Sequence, residues 1–538
     1  MMPISYRFIL AAGAVAAASV GLAQFDGPAP LAWRWSESTA ASPSGQPAID
    51  GERVIVAVGG RIYCLDRDTG NLVWRYPAGE PLSGNFRTGV AMTGRTIVAA
   101  SDQRVVYAVN ADNGQIIWQY TSADPIIGSP ATAGTAVAFP TASGQVVGLG
   151  LADGQPLWGG PVKLNDRVLP NLAGTTTGIV AMTSRSMVTL DPNTGRPRWT
   201  QAFGTISSLT KPVVYGDTIY LTSGTFVIGL RAATGSVRWQ NNTLEPLIAG
   251  VAAGPEGVVA VGQAQKIFTF DISGRPTSRR GFPISIKPGG VPSWAGKYAL
   301  VPSAGGTLLM VDPRTGDTVW SYTIPAIARP NSSTSGGGGA MGGDGPGVGG
   351  GPGGGAFGGG GFAGGGAGGQ QTEAPSTVAT AGPAVVSGSS LMVLAQDGSL
   401  LSFDKVFGID LTAPTVKMLW PTAGDQVSPN PPAELVFKIE DFTSGINPAS
   451  VKVTLNGQEA FVTPDKDGIY RLLVVAGSRN RSLPIGRLNI KVTAADWLGN
   501  VSDTTFVLLV DPAIDRPLGG PRPPANAAGA GGGMAGGG

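Results

Sequence analysis

Few residues in this chain could do chemistry. There is no histidine, so the commonest general base and metal ligand is missing. The one cysteine, Cys64, cannot form an internal disulfide, a Cys-x-x-Cys redox pair or a thiolate zinc cage. Four patterns remain. Asp66-Arg67-Asp68-Thr69-Gly70 opens like a calcium loop but lacks the later ligands and distant Glu of an EF-hand. It recurs as Asn110 to Gly114 and Asp191 to Gly195, which favours side chains that bond their own turn. Ser208-Leu209-Thr210-Lys211 has the Ser-x-x-Lys spacing of some acyl-transfer enzymes. That spacing works on a helix, whereas here it runs into Pro212 and a strand. Arg279-Arg280 is either a contact for an anionic partner or a solvated turn. Asp441 and Asp496 are candidate calcium ligands, weighed against simple turn capping. No catalytic or cofactor-binding residue is expected.

The elements that carry these residues repeat. An apolar strand ends in Asp or a substitute, Gly follows four residues on, and Trp four after that. The glycines are Gly70, Gly114, Gly154, Gly195, Gly235, Gly274 and Gly316, at steps of 44, 40, 41, 40, 39 and 42 residues. The tryptophans are Trp74, Trp118, Trp158, Trp199, Trp239 and Trp320. A fixed period of this length marks a repeat architecture, here one of strands. Each repeat holds two apolar strands around a hairpin turn, such as Arg53 to Val58 and Arg61 to Asp66 about Gly59-Gly60. A small column runs through Cys64, Ala108, Gly148, Thr189, Gly229, Thr269, Met310 and Ser402. Strand alternation suggests that it lets the adjacent blade approach.

The sixth repeat is degenerate. It reads Asp271-Ile272-Ser273-Gly274, then Arg279-Arg280, with no Trp. The last repeat, ending at Asp404, also lacks one. Trp33-Arg34-Trp35 stands 41 residues before Trp74 and matches Trp74-Arg75-Tyr76. The N-terminal strand is therefore expected to complete the last blade, hiding an open sheet edge. This predicts an all-β fold with an eight-bladed propeller, or a seven-bladed one if the sixth repeat forms no sheet. The pattern apolar-small-apolar-Asp-x-x-Thr-Gly-x-x-x-Trp resembles the PQQ-type β-propeller repeat over residues 31–410. The resemblance implies either a pyrroloquinoline-quinone dehydrogenase or a cofactor-free propeller, such as the outer-membrane barrel-assembly lipoprotein. Quinone-binding members use a vicinal Cys pair and a calcium site. A single cysteine cannot supply the pair, so no cofactor is expected.

Other segments change character. Residues 332–371 are nearly all Gly with Ala, Ser and Pro, which cannot bury enough apolar surface to order a chain. They read as a disordered insertion between the seventh and eighth blades, and residues 513–538 as a disordered tail. Residues 411–512 hold seven strand-like runs, among them Ala460 to Thr463, in a pattern that resembles bacterial Ig-like domains. Residues 1–23 read as a signal peptide: Arg7, an apolar run from Phe8 to Val20, and Gly21-Leu22-Ala23 before Gln24. No Cys follows for a lipid anchor, and no later stretch is long and apolar enough to span a membrane.

A net charge of +2 and 13% charged residues leave no basic footprint for nucleic acid. The expected function is a non-catalytic binding or assembly scaffold. It would be exported to the periplasm, the cell surface or the medium, and would be a monomer with a protein or cell-envelope partner. The alternatives are a quinone- or metal-dependent oxidoreductase and a carbohydrate-binding surface protein. Fold alone does not separate them.

Overall fold

A computed structural model describes residues 24–37, 42–206, 210–327, 377–475 and 482–521. The expected signal peptide, the Gly-rich insertion and residues 522–538 of the expected tail lie outside them, as does Ser208, but residues 513–521 of that tail are ordered, with Gly519 hydrogen-bonded to Pro432 and Glu434. Among the described residues there is no α-helix, only strands and two 3-10 turns.

The described residues form eight four-stranded antiparallel sheets and a separate pair of sheets. The first of the eight runs Ala48–Asp50, Arg53–Val58, Arg61–Asp66, Leu72–Tyr76. Blades one to seven repeat this order along the chain. Blade six closes with the short strand Phe282–Pro283, so the degenerate repeat still makes a sheet. In blade eight, Val385–Ser387, Ser390–Leu394 and Ser399–Asp404 are joined by Leu31–Ser36 as the outer strand. Trp33 lies opposite Ser402 in that pairing.

Consecutive blades share apolar cores. Ile55 and Cys64 of blade one pack with Ile97 and Val109 of blade two, and so on round the ring. Met392 and Leu400 of blade eight pack with Val54 and Leu65 of blade one, which closes it into a β-propeller. Inner-strand residues are almost all buried. Each such aliphatic side chain contributes on the order of 1.5–3 kcal/mol by leaving water.

The small column has a different purpose from the expected one. Its residues face the tryptophan of their own blade across the ladder: Cys64 opposite Trp74, Ala108 opposite Trp118, Thr189 opposite Trp199, Gly229 opposite Trp239. A Cβ on Gly148 would lie 2.2 Å from the Trp158 ring. The column is small because an indole lies over it, not because a neighbouring backbone approaches.

Beyond the ring, Thr415–Trp420, Ala433–Glu440, Ile469–Val474 and Thr463–Pro464 form one sheet. Gln426–Val427, Val501–Val510, Gly486–Ala495, Lys452–Leu455 and Gln458–Ala460 form the other. Both sheets point residues into one core around Leu435, Phe437, Tyr470, Ile490, Val492 and Leu508, as in a β-sandwich. The run read as one strand, Ala460 to Thr463, is two strand ends in different sheets, with exposed Phe461 between them.

Candidate functional site

The repeat residues form one device copied around the ring. Where the inner strand ends in Asp, rather than in Asn110, Gly150 or Arg231, that Asp folds its own turn: Asp66 Oδ1 accepts the Asp68 and Thr69 amides and the Thr69 hydroxyl. Asp191 and Asp271 do the same in their blades. The Thr69 hydroxyl bond holds the Asp66 carboxyl below the usual range, and the Arg198 guanidinium does so for Asp191. The turn ends on a glycine with φ near +70°, a region that costs other residues dearly.

The indole of the preceding blade lies against that glycine. A Cβ on Gly114 would lie 2.5 Å from the Trp74 ring, and Gly70, Gly154, Gly195, Gly235 and Gly274 face Trp33, Trp118, Trp158, Trp199 and Trp239 as closely. Each indole N–H then donates to the carbonyl of the residue after the Asp position. Trp33 bonds Arg67, Trp74 bonds Ala111, Trp118 bonds Leu151, Trp158 bonds Pro192, Trp199 bonds Ala232 and Trp239 bonds Ile272, at 2.9–3.2 Å. Six seams between blades are thus latched by a buried or half-buried ring and one directional bond.

Two seams depart from this rule. At the sixth, Gly316 is covered by Phe282 rather than an indole. At the seventh, Trp320 donates instead to Ser444 O of the sandwich at 2.9 Å and is fully buried. Tyr322 OH donates to Phe442 O at 2.8 Å, and Trp497 of the sandwich donates back to Ser321 O at 3.0 Å. The sandwich loop Asp441-Phe442-Thr443-Ser444-Gly445 has the same Asp-to-Gly spacing as Asp66 to Gly70. Asp441 Oδ1 accepts the amides of Thr443, Ser444 and Gly445, and Gly445 has φ +82°. The loop is built like a blade turn and meets aromatic donors of the ring, but Trp320 bonds the third residue after its Asp, and Gly445 lies against Ser321 O and Tyr322 rather than an indole.

Asp441 and Asp496 come together behind this loop and are joined by Asp410, with one carboxylate oxygen of each within 4.8 Å of the others. Asp496 is buried and takes the Leu498 and Asn500 amides on Oδ1 and the Asn500 side chain on Oδ2. Asp410 takes Thr412 on one oxygen and the buried Ser444 hydroxyl on the other, at 2.6 Å. Burial pushes the Asp410 carboxyl up, but the Ser444 and Thr412 bonds outweigh it and leave it lowered. Burial raises Asp441, only partly offset by its three amide bonds. These are the oxygens that could hold a cation. In the structure they cap the turns that join ring to sandwich. Asp410 escaped sequence reading, although Asp410-Leu411-Thr412 carries the Asp-x-Thr pattern of a capped turn.

The other candidates stay apart. Arg279 and Arg280 are exposed in the turn between Thr277 and Phe282. Lys211 lies beside Gly250 of blade six, and burial lowers its pKa. Cys64 is buried in the small column, and burial pushes its thiol up to about 11. No described helix is long and apolar enough to cross a membrane.

Several known proteins are similar to the chain. BamB from Moraxella catarrhalis is 14% identical, with a TM-score of 0.48 over 70% of this chain and 99% of that one. The computationally designed Ika8 protein is 13% identical, with a TM-score of 0.47 over 71% and 99%. No curated protein matches. The family model described as outer membrane protein assembly factor BamB matches twice, over residues 30–173 and 172–339. Those spans take in blades one to seven with their latches and more than half of the sequence, and the chain belongs to that family.

Proposed function

We propose that this protein is an exported, non-catalytic scaffold that serves outer membrane protein assembly. In this reading an eight-bladed ring spans residues 31–410, and an Ig-like sandwich over residues 411–512 is a second contact module docked on it. The observation that carries the reading is the family match along the ring. The site chemistry supports it. The chain's one thiol is buried and protonated at neutral pH, which makes it a packing group rather than a nucleophile. The repeated carboxylates are engaged in folding their own turns. What remains for function is surface: loops at both ends of a latched ring. The partner is a protein component of the cell envelope.

Tagged mature protein, cross-linked in its own cells and captured from the envelope fraction, tests this. Enrichment of outer-membrane barrel-assembly components is the expected result. Dye reduction that depends on added pyrroloquinoline quinone and calcium would overturn the non-catalytic reading.

A further inference from the structure

The sixth seam lacks its indole, and Phe282 fills the end of the slot nearest Gly316. Blade six keeps the Gly-x-x-x-Trp register, but position 278 is Ser. A cavity of about 260 Å³ opens at the slot's other end, walled by Thr269, Phe270, Trp294, Pro313 and Thr277, the neighbour of Ser278 in the chain. Its rim carries Glu256, Asp271, Lys297 and Arg314. Pro313 follows Asp312, so its carbonyl is the one that every regular seam offers to an indole N–H. Here it accepts the Thr269 hydroxyl instead, at 2.8 Å.

The other hydroxyls of the same column show what the missing ring does. Thr189 and Ser402 lie opposite Trp199 and Trp33, and their buried hydroxyls have no hydrogen-bond partner. Where an indole is present it takes the carbonyl and leaves the hydroxyl orphaned. Where it is absent, as at Thr269, the hydroxyl reaches across. A carbonyl has two lone pairs, so Pro313 can accept an indole beside Thr269. Phe282 covers Gly316 but has no N–H to offer.

We propose that the sixth seam is a binding slot for a tryptophan side chain of a partner polypeptide. The ring would lie against Phe270 and Pro313 with its N–H aimed at Pro313 O. The mixed charges of the rim would meet the polar backbone on either side of the anchor. Buried aromatic anchors in preformed pockets dominate many protein interfaces. The inference adds a contact to the scaffold reading.

The test uses N-acetyl-L-tryptophanamide and saturation-transfer NMR on the mature chain, with N-acetyl-L-leucinamide as control. The tryptophan amide should receive strong saturation from the wild-type protein, and the leucine amide little. Ser278→Trp puts the missing indole in place and should cut the tryptophan signal at least fivefold. If Ser278→Trp does not fold, Ser278→Phe should show a smaller loss in the same direction. No transfer to the tryptophan amide, or equal transfer with wild type and a folded variant, overturns the proposal. Because the probe is a free amide, that failure would leave capture of envelope partners unaffected.

Discussion

The first and seventh seams begin from the same residue and end in different places. Trp74 crosses one blade boundary, rests on Gly114 and bonds Ala111, 37 residues along the chain. Trp320 sits at the equivalent position of its blade and bonds Ser444, 124 residues along. The first contact only holds the ring together. The second holds a different unit to the ring, using the same ring, donor and type of turn. Blade eight has Asp404 and Gly408 at the usual spacing, but Gly408 is pressed against Pro30 and the Asp404 carbonyl instead. With its own turn occupied by the returning N-terminus, the seventh seam is left to the sandwich. An aromatic latch is therefore a general fitting, and the turn that reaches it decides what is joined.

The comparison can be broken at three points. The largest effect should come from removing the strand that displaces the blade-eight turn. A chain beginning at residue 40 loses Trp33 and the edge pairing of Leu31–Ser36. Its loss should exceed the ~3–5 kcal/mol cost of deleting one large buried aromatic. A chain beginning at residue 24 keeps that strand and should retain the full stability of the ring. Equal melting temperatures for the two would show that the ring does not depend on this strand.

The tryptophans themselves come next. Trp74→Ala and Trp320→Ala should each cost ~3–5 kcal/mol, since both rings are buried. Their unfolding should differ in form. Trp74→Ala should lower a single transition, because it weakens the ring as a whole. Trp320→Ala should separate sandwich from ring, giving two calorimetric transitions and new protease cleavage near residues 405–412. A single transition in both variants would mean that the sandwich contact is incidental.

The smallest effect concerns the residue beneath Trp74. Burial raises the Cys64 thiol from 9.0 to about 11. The folded state therefore holds this proton more tightly than the unfolded state. The associated stability is complete below about pH 9 and is lost as pH rises towards 11, by ~2–3 kcal/mol at most. Several tyrosines are raised as well, so the wild-type curve alone is not diagnostic. Cys64→Ala, with the residue that Ala108 supplies at the same position, should flatten part of that alkaline loss. Identical curves for the two proteins would mean that the thiol ionises freely when folded.

The sequence made the ring legible because its cause is local. Period-two alternation, a turn Asp, a positive-φ glycine and a tryptophan each leave a mark at a fixed offset. Even the return of Trp33 could be read, because a missing strand at one end matched a spare one at the other. The candidate carboxylates were half legible. Asp441 and Asp496 show as turn residues, but no spacing rule joins them to Asp410, which meets them only because the sandwich folds back on the ring. The same limit hid the fate of Trp320, whose motif looks regular while its partner is far along the chain. The strand Gln426–Val427 is two residues long and pairs in parallel with Leu509–Val510, so it leaves no periodic trace. The vacant slot was visible only as an absence. That Ser278 replaces a tryptophan is plain in the sequence, but that space stays open beside Thr269 and Pro313 shows only in the fold.

The pairing of Trp33 with Ser402 also bears on how the molecule comes into being. Chains emerge from synthesis N-terminus first. The strand Leu31–Ser36 is made before any blade is complete, yet Ser399–Asp404 appears only after seven blades. Until then the first strand has no ladder, and the first and seventh blades each present a bare flank. Contacts of such long sequence separation are slow to form, since closure must await the rest. Completion of the circle thus reports that the whole ring sequence has arrived. A chain stalled anywhere before the eighth blade would remain an open arc with a loose leading end, exposed to proteases and chaperones.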